Sequence, residues 1–235
     1  MRNTVILLAA LAIGGTGCDR LRNERTPAPI ETPPPQLDAA QIGAVVRVDM
    51  GGKFRGAGVA VDPRYVITAL GNLDEWEFHR RLATLGAERV PAKIVAVDKA
   101  RGLALIKADR PLPRHATLAH DAPADRAPAV IVAFADLESE PPIVELRMLP
   151  ASIDRAHYSA ETTGDMVLED AMQVSSPQAG DIRRRGAAVF DPATGRLAGM
   201  TVGAMLERSH SSSPFIAVSA KTLRAFLKAN GVPSP

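Results

Sequence analysis

From Ile42 onward the chain is a succession of short β-branched segments cut by Gly, Pro and Asp, and this punctuation limits its folding more than any other feature. Such segments are too short for helices of several turns but long enough to cross a sheet. Strands are expected at residues 44–49, 58–61, 65–69, 92–97, 103–107, 129–133, 143–149, 165–168, 187–190, 197–202 and 215–218. An all-β sandwich or a pair of barrels accommodates this many. The end of the chain differs: Ser219 can cap a helix running to about residue 230, with Leu223, Phe226 and Leu227 on one face and Gly231 as its stop.

Composition narrows the function classes. Twenty-eight Lys plus Arg against 26 Asp plus Glu leave a formal charge of +2, too balanced to attract a polyanion, so nucleic acid is not an expected partner. Aromatic side chains make up 4% of the chain, too few for a platform that stacks bases or sugars. With 46% hydrophobic residues in 235, the chain can build one large domain or two small ones. Disorder throughout and a multi-pass membrane protein are both excluded.

Cys18 is the only cysteine, so no disulfide can form within the chain. Arg2, an apolar run over residues 5–13 and small residues up to the thiol have the layout of a bacterial export signal. The run is too short to span a bilayer. This end resembles a lipoprotein signal, in which residues 1–17 are removed and Cys18 becomes the lipidated first residue; Gly15 stands where that pattern usually has leucine. Ordinary signal cleavage and a retained short anchor are the alternatives. Asp19 resembles the signal that keeps some lipoproteins in the inner membrane. Residues 18–41, rich in proline and poor in apolar side chains, read as a tether reaching on the order of 50 Å, which leaves residues 42–232 as the folded domain. The expected location is the bacterial cell envelope, lipid-anchored and facing the periplasm.

Four blocks then occur in order: GAGVAVDPRYVITA (56–69), PAKIVAVDKARGLALIKAD (91–109), GAAVFDPATGRLAGM (186–200) and FIAVSAKTLRAFLKANGV (215–232). Together they resemble a trypsin-like serine protease of the bacterial HtrA type. The resemblance implies two packed six-stranded β-barrels with a cleft between them, a C-terminal helix, and no length left for a downstream PDZ domain.

The chemistry of that family needs a serine nucleophile, a histidine base and a carboxylate to orient it. In the family the strand ending ILT is followed by N-A-H; here VITALGN puts Gly71 at the histidine. The D-L-A-L block that supplies the aspartate reads RGLAL, which offers Gly102. Counting back from Val189, Phe190 and Asp191 places Arg185 at the serine, with Arg183 at the glycine two residues before it; a second register, anchored on Gly180 and Asp181, places Ile182 there. Either register lacks serine. The expected protein is therefore a pseudoprotease that binds an envelope protein or peptide, and the segment expected to bear on that binding is Thr201 to Met205, which follows the strand lining the groove in the family. No cofactor is expected.

Two alternatives remain. A relocated site could draw on Ser175, Ser176, His79, Asp74 and Asp98, giving an atypical active endopeptidase. The run Arg183, Arg184 and Arg185 could instead bind an anion or a cell-wall ligand through paired guanidinium donors. His115, His120, His157 and His210 read as surface residues, and no spacing of His, Cys or acidic residues suggests a metal.

Overall fold

Many strands carry apolar residues on both faces, so each must be covered twice. On the segment around residue 130, Ile131 and Ala133 point one way and Val130 and Val132 the other, and all four are buried. In the computed structural model, which describes residues 37–73, 82–121, 123–137, 143–161, 167–178, 182, 185–204 and 214–233, two closed barrels supply the two covers.

The first barrel contains β1 (Val45–Met50), β2 (Lys53–Asp62), β3 (Tyr65–Ala69), β4 (Leu82–Leu85), β5 (Val90–Asp98) and β6 (Leu103–Ala108). The second contains β7 (Ala127–Leu137), β8 (Ile143–Glu161), β9 (Val167–Ser175), β10 (Ala188–Phe190), β11 (Leu197–Ala204) and β12 (Phe215–Ser219). The ring order is β1-β2-β3-β6-β5-β4 in one and β7-β8-β9-β12-β11-β10 in the other, so the two repeat one topology. The named strands pair antiparallel throughout; Val48 opposite Leu85 closes the first ring and Val189 opposite Ile131 the second.

Three apolar cores result. Val48, Val66, Leu85 and Ile106 fill the first barrel; Ile131, Ile153, Val174 and Phe215 fill the second. The third joins Val59, Ile67 and Leu105 to Val132, Phe190 and Met200, so it is the layer where the barrels meet. Phe54 and Phe134 extend this contact edge to face, their ring centroids 5.9 Å apart. Helix α2 (Ala220–Ala229) adds Leu223, Phe226 and Leu227 to the same layer. Its cap is Ser219, whose hydroxyl accepts from the Thr222 N–H at 3.3 Å, and Gly231 follows it at φ +68°.

The two-barrel, all-β architecture with a terminal helix is the expected one, and it differs from the sequence reading in four elements. Strand β4 was not anticipated, because Leu82–Leu85 carries no β-branched run beyond Thr84. The segment expected as a strand at residues 165–168 continues to Ser175, and β8 runs for 19 residues, bent by register shifts after Ile153, Arg155 and Tyr158. Structure is also described ahead of Ile42: Leu37 is buried, and Asp38 and Gln41 form a capping box on the short helix α1 (Ala39–Gly43). These residues lie in the stretch read as tether, where the prolines upstream masked one local helix start. Cys18 and the signal segment lie outside the described residues.

Candidate functional site

The seam between the barrels gathers Gly71, Gly102 and Arg185, three of the positions singled out by the sequence. Gly71 sits in a single 3-10 turn, Leu70–Asn72, directly after β3. Gly102 ends the tight turn between β5 and β6 at φ +64°, a conformation open to glycine at little cost. Its carbonyl accepts from the Leu70 N–H at 2.7 Å, which ties the two turns together. From the second barrel Arg185 reaches across, and its Nη1 donates to the Gly71 carbonyl at 3.0 Å.

Arg185 and Gly71 occupy one space. A Cβ added to Gly71 would stand 2.8 Å from Arg185 Nη1 and 2.9 Å from its Cδ and Cζ. Any side chain at 71 would therefore displace the guanidinium, and the absence of one lets it settle. The contact is reciprocal, because Asn72 Nδ2 lies 3.2 Å from the Arg185 carbonyl. That amide is also 3.0 Å from Thr68 Oγ1 and 3.2 Å from the Ala57 carbonyl. Its two protons are thus shared among three acceptors. Thr68 Oγ1 in turn donates to the Ala57 carbonyl at 2.7 Å, and both Thr68 and Asn72 are buried.

Gly186 completes the seam. At φ +77° its N–H donates to the Thr201 carbonyl at 2.7 Å, and a Cβ there would stand 1.9 Å from the Ala57 carbonyl oxygen of the other barrel. Only a residue without a side chain permits this approach. The Thr201 N–H donates to the Ala187 carbonyl at 2.9 Å, and the Thr201 hydroxyl accepts from the Ala187 N–H at 2.9 Å. The backbone of Thr201, the first residue of the segment expected to follow the groove-lining strand, is consequently satisfied from within.

The other candidates are placed as follows. Ile182 is buried in the second barrel's core beside Ala135, away from solvent. Ser175 donates to Asp154, which also accepts from Ser152 at 2.9 Å. Ser176 is buried and accepts from the Gln178 N–H at 3.3 Å. Asp98 holds the turn leading to Gly102 through the Arg101 N–H at 3.0 Å and the Arg101 guanidinium at 2.6 Å. Among the described residues no serine touches a histidine: His115 and His120 are exposed, and His157 pairs with Asp170, whose other oxygen accepts from Ser219 at 3.2 Å. Arg183, Arg184, Met205, His79, His210 and Asp74 lie outside the described residues. Among the described residues no group of three His, Cys, Asp or Glu could hold a metal, and no helix is long and apolar enough to cross a membrane.

Two concavities lie elsewhere. One of about 400 Å³ is lined by Leu85, Leu112, Phe134 and Val144 among others, and one of about 520 Å³ by Arg101, Val167, Glu169, Asp170 and Lys221. Neither includes Gly71 or Arg185. Asn72 was missed by the sequence reading, although an asparagine directly after a turn glycine, at the end of a buried strand, is a signal for a side chain that bonds backbone.

A repeated six-strand ring packed on its copy, with a polar seam at the junction, defines a trypsin-like two-barrel domain. The model of the trypsin-like peptidase domain matches residues 56–200, and the chain belongs to that family. Solved structures agree in fold. The active form of the Rv3671c protease from M. tuberculosis superposes with a TM-score of 0.65 at 19% identity, over 84% of this chain and 85% of that one. The MamO protease domain from Magnetospirillum magneticum gives 0.60 at 18%, over 80% and 98%. The HtrA-type protease AlgW with a decapeptide gives 0.60 at 15%, over 81% and 66%. No curated protein matches the sequence.

Proposed function

We propose that this chain is a catalytically silent trypsin-like domain, held in the bacterial envelope through lipid on Cys18, that acts by binding a protein or peptide. The observation that carries the reading is the Arg185 side chain lying over Gly71 in the seam between the barrels. With Gly71, Gly102 and Arg185 at the three positions where the family resemblance expects base, carboxylate and nucleophile, there is no group to take a proton, none to orient it and none to attack a carbonyl. Proteases stripped of the whole triad keep only roughly 10³ to 10⁴-fold acceleration over water. The neighbourhoods of Ser175 and Ser176 favour the same reading, since their described partners are a carboxylate and a backbone amide rather than an imidazole.

The test is covalent labelling of the full chain with a fluorophosphonate probe, alongside casein digestion. No labelling and no cleavage are expected. Labelling that disappears in Ser175→Ala or Ser176→Ala overturns the reading in favour of a relocated site. For the anchor, Cys18→Ser is expected to abolish palmitate incorporation and release the protein from membranes; unchanged membrane association overturns lipid attachment at that thiol.

A further inference from the structure

We infer that the Arg185 guanidinium is a carboxylate receptor, and that the segment bound at the seam is acidic, offering an Asp or Glu side chain in place of the present contact with Gly71. The inference rests on the reading of the domain as a peptide binder and names the chemistry of what it binds.

Three observations carry it. First, a guanidinium has five N–H donors in a planar fork. Arg185 is exposed, and among the described residues its side chain makes one hydrogen bond, from Nη1 to the Gly71 carbonyl. It forms no ion pair there, whereas Arg47, Arg101 and Arg110 each hold a carboxylate at 2.6–2.7 Å. Second, the fork is mounted on fixed backbone: Asn72 holds the Arg185 carbonyl, and Gly186 is fixed to Thr201. Only the side chain has to swing, so little ordering is needed on binding. Third, the Thr201 backbone is closed by Ala187 and Gly186, so main-chain pairing is unavailable at that point and recognition passes to side-chain charge. A planar carboxylate matches the fork with two parallel bonds.

The experiment is fluorescence polarisation of the full chain with a rhodamine-labelled, C-terminally amidated Glu-rich decapeptide and its amidated Gln counterpart, using wild type, R185Q, R185K and R185E. The acidic peptide is expected to bind at least tenfold more tightly than the neutral one. R185Q should remove at least tenfold of that affinity, R185K should restore part of it, and R185E should abolish it. Melting curves check that each variant is folded. If both peptides bind equally and R185Q changes nothing, the carboxylate receptor is overturned while peptide binding stands. If neither peptide binds, both are overturned; a melting temperature raised by inorganic phosphate in wild type but not in R185Q would then mark a free-anion site instead.

Discussion

Asn72 shows how one side chain can join two halves of a molecule. Its amide serves Thr68 and Ala57 within the first barrel and the Arg185 carbonyl in the second. Asn72→Ala leaves these acceptors, two of them buried, without that donor, at an expected cost of about 1–3 kcal/mol, or several degrees in melting temperature by thermal denaturation. Tyr158 is a second residue with a definite expectation. Burial pushes its pKa above the ordinary 10.0, with Arg155 pulling it down and Asp154 adding to the rise, and among the described residues its buried hydroxyl has no partner. Since the folded state favours the neutral phenol, the associated stability is intact below pH 10 and is lost as pH rises from there through the folded-state value. Tyr158→Phe should flatten that alkaline decline, measured as melting temperature against pH, without loss at neutral pH. At this scale motif order singles out Gly71, Gly102 and Arg185 as expectations, with Ile182 as the alternative to Arg185. It did not reveal that Arg185 fills the space above Gly71, since a contact between residues 114 apart depends on the packing of the two barrels.

Elements were legible in proportion to their local signals. Helix α2 was foreseen because Ser219 and Gly231 mark its ends and its apolar residues share one face. Strand β4 was not, because four residues with a single β-branched member carry too little pattern, and pairing with β1 and β5 supplies the rest. Helix α1 escaped for the opposite reason, its capping box being hidden in a polar, proline-rich context. The cap on α2 allows a test of how firmly this element is held. Ser219 bonds the Thr222 N–H and also the Asp170 carboxylate, linking helix to β9. Ser219→Ala should cost about 1–2 kcal/mol, read as a lower urea midpoint by circular dichroism.

For the whole molecule, the layer uniting Val59 and Leu105 with Val132 and Phe190 makes each barrel a wall of the other's core. Neither can open without exposing that layer, so unfolding should be one cooperative transition, with calorimetric and van't Hoff enthalpies equal; two resolved transitions would contradict the shared core. This architecture was readable from the spacing of short apolar segments together with four ordered motifs, whereas the ring closures require long-range pairing that no local window contains. The close approach of Gly186 to the Ala57 carbonyl has a dynamic consequence. With so little room at that contact, the peptide proposed above would be accommodated by rotamer jumps of side chains such as Arg185, which take picoseconds to nanoseconds rather than the microseconds to milliseconds of domain closure. Capture should accordingly behave as single-step docking, its observed rate rising linearly with guest concentration and reaching no plateau.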